Sequence, residues 1–418
     1  MNSLTDLPLN TAEPLIMHID LNSCFAIIEQ QANPLIRHKP VAVAAYDSPG
    51  GMVLASSYEA KAKGIKLGVN VREARQLAPD VVVMMPDPPK YREAHRRFRE
   101  VLEQYTDAVA PKSIDEFVVD FTSSRDRLKG RSLVDIGYEI KDKIKQSLGD
   151  YVTVNVGIGT NRFWAKTAAG LHKPDGLDVM RADNALEIYS GMQLTDLTGI
   201  NVRYEARLNG NGIYTPLQFF EAPSARLKKQ VFRSKVGYYW YGRLRGWEVD
   251  GVEWGRKTFG HQYALGKKTD NHEELSRLLM KLCEKTGRRL RAKQFAANGV
   301  HLSLTFEDRT YFSQSRQTKA AVYATQDIYR HAHRLMAQAM VSERVIAMSV
   351  SVYGIVPTEP QQLGLFDGTR LDNRAIADAC DEINDRYGDF VIAPALMSSM
   401  DEVILDRIAF GSVRDMHG

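Results

Sequence analysis

Residues 112–121 read KSIDEFVVDF, a run that ends as an apolar strand and begins with two adjacent acids, Asp115 and Glu116. Neighbouring side chains of a β-strand point to opposite faces, so strict alternation would send one of these carboxylates into the core. Burying an unpaired carboxylate is costly. A turn signalled by Pro111 and Ser113 precedes the pair and can break the alternation. The run therefore predicts a functional site where this strand begins.

A third acid stands at the end of an earlier strand. Residues 15–19 are apolar or strand-forming and lead into Asp20, after which the pattern becomes helical. If the two strands pair, Asp20, Asp115 and Glu116 can converge at one edge of a sheet. Taken alone, the short motif also fits a structure in which Asp115 caps a turn and Glu116 is solvated.

Three carboxylates brought together must bind protons or cations. Each pair at 4 Å repels by roughly 4 kcal/mol in an effective dielectric near 20. Oxygen ligands without His or Cys favour Mg²⁺. Two divalent ions about 3.5 to 4 Å apart form the known apparatus for in-line displacement at phosphorus. The three acids thus predict a site with two Mg²⁺ ions.

The length of the chain indicates several domains, and its few scattered cysteines fit a protein of a reducing compartment. With 418 residues and 44% hydrophobic content, the chain exceeds what a single core usually reaches. No stretch approaches the roughly 18 uninterrupted apolar residues of a membrane span, and the first residues lack the pattern of a secretory signal. Cys24, Cys283 and Cys380 lie far apart without metal-ligand spacing. We expect a cytoplasmic protein without membrane association.

The basic residues are unevenly distributed. Residues 256–346 contain 17 Lys/Arg against 8 Asp/Glu, although the whole chain has a net charge of only +4. The segment combines a basic helix pattern, residues 267–294, with an alternating strand pattern. It can be a solvated face, but clustering on one module favours nucleic acid phosphate as the partner.

The pattern of elements divides the chain. Strand and helix signals up to about residue 180 predict an α+β sheet domain. Residues 194–220 predict two short helices joined by a tight glycine-containing hairpin, which is either a plain αα-corner or a backbone-amide phosphate clamp. Near the C-terminus, residues 373–388 have helical spacing and DFVIAPALM, residues 389–397, is a strand candidate.

Three further residues fit a triphosphate. Tyr58 and Lys61 lie at a strand-to-helix boundary, and Lys173 lies in the loop that closes another helix. A tyrosine hydroxyl and two lysines could hold the β- and γ-phosphates. Taken singly, Tyr58 fits a core position and both lysines fit the surface.

Several motifs, in the expected order from about residue 15 to 350, resemble those of Y-family DNA polymerases, the lesion-bypass class, and most of all the bacterial polymerase IV and polymerase V types. HIDLNSCFAIIE (18–29) and KSIDEFVVDF resemble the two metal motifs of that family. SSYEAKAKG (56–64) resembles its nucleotide-binding finger motif. The sequence GIGTNRFWAKTAAGLHKPDG (157–176) resembles the palm segment that ends in a phosphate-contacting lysine, and KTFGHQYAL (257–265) resembles the entry to the little finger domain.

The resemblance implies an α+β, multidomain, right-hand polymerase with a palm, small fingers, a helical thumb and a basic α/β little finger domain. The expected boundaries are palm 1–30 and 90–185, fingers 31–89, helix-hairpin-helix thumb 186–250, little finger 257–355, and a tail 356–418 with a short helix. The implied partners are primer-template DNA and dNTP. Too few residues remain for a proofreading domain, so we expect low fidelity.

The family also implies roles for individual residues. Asp20, Asp115 and Glu116 would be catalytic, and with the Leu21 carbonyl they would bind the metal ions. The residues implied in dNTP binding are Cys24, Phe25, Tyr58, Lys61 and Lys173. Phe25 matches the steric gate that excludes a ribose 2′-hydroxyl; without the resemblance it would be a buried helix aromatic.

Three residues depart from the polymerase IV pattern. Asn22 stands where those proteins usually carry Asp, although polymerase V types also use Asn. Cys24 replaces a common aromatic. Lys61 occupies a usual Arg position and loses the bidentate fork of that side chain.

The tail contains QLGLF, residues 362–366, which resembles the peptide by which bacterial polymerases dock on the sliding clamp. The contacting residues would be Gln362, Leu363, Leu365 and Phe366. The peptide would raise the effective concentration of the enzyme at the primer end. Accessory subunits of the SOS response to DNA damage are a further possible partner.

Two other functions compete with this interpretation. Nucleotide cyclases share a palm-like sheet with paired carboxylates, but they do not need a basic module of 90 residues. A catalytically impaired scaffold that binds DNA and the clamp would typically lack one of the three acids, and this chain retains all of them.

Overall fold

A five-stranded sheet carries both acidic strands side by side. The computed structural model describes residues 7–128, 130–251, 255–339, 341, 343–358, 368–400 and 403–404, and the chain forms two units, one built mainly from Met1–Val252 and one from Glu253–Asp406. The strands of the first unit are β1 (Ile16–Leu21), β2 (Val41–Ala44), β3 (Val53–Ser56), β4 (Val82–Met84), β5 (Val109–Pro111), β6 (Glu116–Asp120), β7 (Val154–Gly159) and β8 (Leu177–Val179). The sheet order β5-β6-β1-β7-β8 places β1 between two antiparallel partners.

The two faces of β1 meet different helices. The helices of the first unit are α1 (Cys24–Ala32), α2 (Tyr58–Ala62), α3 (Val71–Leu77), α4 (Pro88–Leu102), α5 (Leu133–Leu148), α6 (Arg162–Leu171), α7 (Ala185–Ser190), α8 (Val202–Asn209), α9 (Pro216–Glu221), α10 (Ser224–Arg226) and α11 (Val236–Leu244). Every second residue from Met17 to Leu21 packs with α1, α4 and α5 in the main core. Ile16 instead packs against Ala165 of α6. Because side chains alternate, His18 and Asp20 share the α6 face.

Two glycines of β7 let α6 lie directly on the sheet. A Cβ atom at Gly157 would lie 2.0 Å from the backbone oxygen of Ala165 and 2.1 Å from the nitrogen of Ala169. A Cβ at Gly159 would lie 2.6 Å from the nitrogen of Ala165. No side chain fits between this strand and the helix backbone, so the alternating glycines of VNVGIG fix how close α6 comes to the acidic strands.

Gly157→Ala is expected to destabilise the first unit by about 3 kcal/mol, because the new methyl group meets backbone atoms that cannot rotate away. The matched control is Gly170→Ala in α6, where a Cβ would meet nothing within 4 Å and a helical Ala is favoured over Gly by up to about 1 kcal/mol. Urea unfolding followed by tryptophan fluorescence measures both variants. Equal unfolding midpoints for the two would contradict the close packing.

A smaller sheet, in the order β3-β2-β4, has its own apolar core, and α2 directly follows its strand β3. Ser57 lies between β3 and α2 and caps the helix, because its hydroxyl accepts a hydrogen bond from the Ala60 N–H at 3.3 Å. The cap fixes Tyr58 at the first helical position.

Residues 185–244 form a helical region with a separate aromatic core. In this core the Trp164 indole donates to the Tyr189 hydroxyl, which donates to the Leu244 carbonyl, both at 2.9 Å. The two predicted short helices are α8 and α9, capped by Asn201 and Thr215. Turns with glycines at positive φ precede and follow α8.

The second unit is a four-stranded antiparallel sheet with helices on one face. Its elements are β9 (Thr258–Thr269), α12 (His272–Ala292), β10 (Phe295–Phe306), β11 (Tyr311–Val322), α13 (Thr325–Met336), β12 (Val345–Pro357) and α14 (Gly368–Tyr387), and the strand order is β11-β10-β12-β9. Apolar residues of α12 and α13 form its core with alternate residues of the strands. Within the ranges given above, no helix has both the length and the apolar character needed to cross a membrane.

The basic stripe of α12 contacts the C-terminal segment of the same unit. Arg291 makes a bidentate ion pair with Asp381 at 2.6 and 2.9 Å, and Arg288 pairs with Asp385 and Asp389. Along the same helix, basic side chains donate to backbone carbonyls of residues 396–404; the donors are Arg277, Lys281 and Lys285. This part of the basic excess predicted from sequence therefore holds α14 and the residues after it.

The strand expected at DFVIAPALM does not form. Residues 395–397 are a short 3-10 helix begun by Pro394. The backbone N–H and C=O of Ile392 pair with the side-chain amide of Asn384, both at 2.9 Å, instead of with a neighbouring strand. Met397 of this segment and the following Met400 are buried, whereas Val391, Ile392 and Leu396 are exposed.

Candidate active site

Asp20 and Glu116 lie directly opposite each other where β1 and β6 pair. Each carboxylate is bound by one lysine: Lys173 donates to Asp20 and Lys166 donates to Glu116, both at 2.6 Å. Burial raises the pKa of Asp20, and Lys173 opposes that effect. Burial acts in the same direction on Glu116, but Lys166 together with His18 and Lys173 outweighs it, and the pKa of Glu116 lies below its ordinary value. The negative charges of these two carboxylates are thus offset by the positive charges of the two ammonium groups.

Asp115 lies in the bend that precedes β6, and Glu116 is the first residue of the strand. Because Asp115 is outside the strand, strand alternation does not force its carboxylate into the core, as the turn signal predicts. The Asp115 backbone carbonyl accepts a hydrogen bond from the Leu21 N–H at 2.8 Å, which links the bend to the end of β1. Its carboxylate accepts from the Ser113 hydroxyl at 2.5 Å. Burial raises the pKa of Asp115 to about 6, and the nearby Asp20 and Glu116 add to the rise against the Ser113 bond.

His18 joins this site although the sequence motifs did not single it out. Among the described residues, ligand atoms of His18, Asp20 and Glu116 lie within 4.8 Å of one another, and Asp115 does not belong to this group. The imidazole Nε2 is 3.9 Å from a Glu116 oxygen. Burial lowers the pKa of His18 to about 3, so the ring is neutral. Its position two residues before Asp20 on the same strand face was the available signal.

The residues predicted to bind the triphosphate surround Asp20. The Lys61 ammonium lies 4.6 Å from the ring centroid of Tyr58 and donates to the Ser23 hydroxyl at 2.8 Å. Burial lowers the pKa of Lys61, and the nearby Lys173 adds to this effect. Burial raises the pKa of Tyr58 to about 12, with a further contribution from Asp20. A cluster of ammonium groups and a hydroxyl beside a carboxylate pair suits a bound polyphosphate.

The other predicted residues of this region lie in the first turn of α1. Phe25 is completely buried, and its ring stacks on that of Tyr91 at 4.3 Å between centroids. Cys24 is also buried, and burial together with the nearby Asp115 and Asp20 raises the pKa of its thiol. The Leu21 side chain belongs to the core, which leaves its backbone carbonyl as the predicted ligand atom. The QLGLF peptide lies outside the described residues.

Asn22, which departs from the polymerase IV pattern, supports the loop that carries Lys173. Its amide donates to the Asn155 side chain at 2.8 Å, and its oxygen accepts from the Asp175 N–H at 3.0 Å. Asn155 in turn donates to the His172 carbonyl at 3.0 Å. These bonds hold both ends of the loop around Lys173.

Asn22→Ala is expected to raise the KM for dNTP roughly ten- to thirtyfold with little change in kcat, because two loop-positioning hydrogen bonds of about 1 kcal/mol each are lost. Steady-state single-nucleotide insertion kinetics measure the change. Asn184→Ala is the control, since Asn184 brackets a different turn through its bonds to Arg181 and Val179. A KM that is unchanged in Asn22→Ala would contradict this role of Asn22.

A cavity of about 410 Å³ adjoins the carboxylates on the α6 side of the sheet. Its wall includes basic groups from the bend before β6 and from the helices α6 and α11, namely Lys112, Arg162, Lys166 and Arg243, and the buried His18. The acidic Asp250 also contributes, but its carboxylate is paired with Arg243. Aromatic rings of α6, α8 and α11 complete the wall. A basic cavity beside the carboxylate pair was not predicted from the sequence.

Comparison with known proteins gives matches along most of the chain. Residues 19–170 match the impB/mucB/samB family, and residues 256–365 match the C-terminal domain of that family. DNA polymerase IV of Pelotomaculum thermopropionicum is 31% identical over 404 residues, which cover 94% of this chain and 97% of that protein. DNA polymerase IV of Moorella thermoacetica is 33% identical, with 91% and 95% covered.

Solved structures share the fold. A Y-family DNA polymerase chimera of Dbh and Dpo4 superposes with a TM-score of 0.70 at 22% identity, covering 82% of this chain and 99% of that one. An insertion ternary complex of Dbh DNA polymerase gives 0.56 at 23% identity. The acidic strand pair, the family matches and the shared fold agree. The chain belongs to the impB/mucB/samB family and is a member of the Y family of lesion-bypass, DNA-directed DNA polymerases.

Proposed function

We propose that this chain extends a primer on a damaged DNA template by joining the α-phosphate of an incoming dNTP to the primer 3′-hydroxyl, with release of pyrophosphate. The observation that carries the proposal is the register of β1 and β6, which sets Asp20 opposite Glu116 with Asp115 in the adjoining bend. Asp20, Asp115 and Glu116 are the proposed catalytic carboxylates.

The same residues fit divalent cations. The carboxylate donors are hard oxygens, and the raised pKa values of Asp20 and Asp115 reflect burial first, with a smaller contribution from the neighbouring carboxylates. We propose two Mg²⁺ ions, held by the three acids and by the Leu21 carbonyl. When bound, such ions activate the attacking oxygen and stabilise the leaving one.

The protein side chains bind and orient the nucleotide. Tyr58, Lys61 and Lys173 would contact the triphosphate, because their polar groups already gather beside Asp20. Lys173 would then exchange its bond to Asp20 for a phosphate oxygen. Phe25 would lie below the sugar as the steric gate, with Cys24 next to it.

Primer-template DNA would contact both units. The palm, fingers, thumb and little finger boundaries given above remain our assignment. Within the second unit, α12 and α13 cover one face of the sheet, and β11 has a run of exposed residues from Ser313 to Gln317. The face of the sheet that α12 and α13 do not cover, together with the exposed part of β11, is the proposed DNA surface.

The QLGLF peptide and SOS-type accessory subunits complete the proposed partners. The peptide would dock on the sliding clamp and raise the local concentration of the enzyme at the primer end. Discrimination between nucleotides would depend mainly on pairing geometry, which suits synthesis past damaged bases. The non-catalytic scaffold is not favoured, because all three acids are present and Asp20 and Glu116 are paired in register.

Primer extension tests the proposal. The full chain, supplied with Mg²⁺, dNTPs and a primed template carrying one abasic site, is expected to copy up to the lesion and insert a nucleotide opposite it. A protein that binds this DNA but adds no nucleotide, even on an undamaged template, would overturn the proposed function.

A further inference from the structure

Lys166 lies between the active-site carboxylates and the basic cavity. Its ammonium donates to a Glu116 oxygen at 2.6 Å, and the same side chain forms part of the cavity wall. The side chain is about one third exposed, at 32%. The Lys166 side chain therefore binds Glu116 and is at the same time accessible from the cavity.

The backbone at Lys166 is fixed while its side chain is flexible. The helix α6 is capped by Asn161, whose side chain accepts from the Trp164 N–H at 2.7 Å. Gly157 and Gly159 bring the helix against the sheet. A lysine has four rotatable side-chain bonds, so its ammonium can change partner without movement of the helix.

Lys166 and Lys173 form ion pairs with the carboxylates that a divalent cation would need as ligands. Lys166 takes one oxygen of Glu116, and Lys173 takes one of Asp20. Neighbouring positive charges also oppose a cation directly. Binding of a divalent cation in the absence of substrate must therefore compete with two ammonium groups already in place.

The cavity supplies an alternative partner for Lys166. Lys112 and Arg162 lie in its wall with Lys166, so the wall suits an anion. His18 gives a second, independent indication: it lines the cavity, it is 2% exposed, and among the described residues neither ring nitrogen has a hydrogen-bond partner. A phosphate oxygen in the cavity would provide an acceptor for an imidazole N–H.

We propose that Lys166 is a positioning residue that couples loading of the divalent cation to binding of the primer. In the free protein its ammonium holds Glu116. When a phosphodiester of the primer strand enters the cavity, the ammonium transfers to that phosphate and releases the Glu116 carboxylate for the cation. The proposal rests on the proposed polymerase function, because that function supplies the primer.

The exchange has a thermodynamic consequence that can be measured without catalysis. If primer binding removes a competitor from Glu116, DNA tightens cation binding, and the cation tightens DNA binding by the same factor. Coupling of this kind usually amounts to roughly 5- to 150-fold. A residue with a merely structural role would not produce a DNA-dependent change in cation affinity.

The test measures Mn²⁺ binding to the full chain by electron paramagnetic resonance, with and without saturating primer-template, after subtraction of Mn²⁺ bound by the DNA alone. The wild type is expected to bind Mn²⁺ at least about tenfold more tightly with DNA. Lys166→Met is expected to bind it tightly without DNA, so that the DNA-dependent ratio falls towards one. Lys166→Arg keeps the cation and should retain most of the ratio.

The matched control is Lys143→Met, which removes a lysine paired with Glu139 on the surface of α5 and should behave as the wild type. Lys166→Gln replaces Lys166→Met if the latter does not fold. A DNA-dependent ratio that persists in the Met or Gln variant overturns the coupling. If the wild type binds no Mn²⁺ with DNA and extends no primer, the proposed function itself fails; if it does both and the variants match it, the coupling alone fails.

Discussion

Glu116→Ala and Asp115→Ala are each expected to reduce primer extension by roughly a thousandfold or more. Metal ions that stabilise transition-state charge contribute several kcal/mol, and about 4 kcal/mol corresponds to a thousandfold in rate. Glu116→Ala also leaves Lys166 without its carboxylate partner. Single-turnover extension of a primed template measures the loss.

Asp120→Ala is the control for these two variants. Asp120 lies at the other end of β6, and its carboxylate accepts a bond from the Thr122 N–H. This variant should keep most of the activity. In fluorescence anisotropy without divalent cation, Asp115→Ala and Asp120→Ala should bind primer-template nearly as the wild type does. Glu116→Ala should bind it at least as tightly, because Lys166 then has no carboxylate partner to leave. Full extension by the double variant of Asp115 and Glu116 would refute their assignment as catalytic residues.

Phe25→Val is expected to lower the preference for dGTP over GTP by about a hundredfold, the scale of discrimination that one well-placed apolar contact provides. The aromatic ring would otherwise block the ribose 2′-hydroxyl. The ratio of kcat/KM for the two nucleotides measures the effect and is insensitive to the fraction of folded enzyme. That property matters because Phe25 is completely buried against Tyr91, and large-to-small changes at such sites also reduce stability.

Phe98→Val separates sugar selection from loss of packing. Phe98 is equally buried in the same core and contacts Phe117 edge to face at 4.7 Å. It should reduce stability without changing the sugar preference. If Phe25→Val shows the wild-type ratio, Phe25 is not the steric gate.

The acids could be predicted from the sequence because their signals are local. A turn with Pro111 and Ser113 breaks strand alternation, and the structure accordingly has Asp115 in a bend and Glu116 as the first residue of β6. Asp20 and Glu116 pair because β1 and β6 are neighbours in the sheet and carry acidic residues at their adjoining ends. The α+β fold class is confirmed by the shared fold of Y-family structures.

Other parts of the site depend on distances that local patterns do not encode. Lys166 reaches Glu116 only because Gly157 and Gly159 bring α6 against the sheet. His18 is in the strand that the motif identified, but its proximity to Glu116 depends on the register of β1 and β6. Strand alternation places His18 on the same face as Asp20, but no local pattern indicates that either His18 or Lys166 lies close to Glu116.

The C-terminal region shows a different limit of sequence patterns. The stripe of α12 that includes Arg288 and Arg291 looks like a phosphate-binding surface when only the charge count is considered. In the structure its partners are carboxylates of α14, more than 80 residues later in the chain. A charge count identifies a basic helix, but the partner of that helix is fixed by tertiary contacts.

Anomalous diffraction from a crystal grown with primer-template, a non-hydrolysable dNTP and Mn²⁺ would locate the cations relative to the three carboxylates. We expect two Mn²⁺ peaks about 3.5 to 4 Å apart, both within bonding distance of oxygens from Asp20, Asp115 or Glu116. We also expect the ammonium of Lys173 to have moved from Asp20 to a phosphate oxygen. A bound nucleotide with no Mn²⁺ peak at these three carboxylates would show that they do not form the metal site.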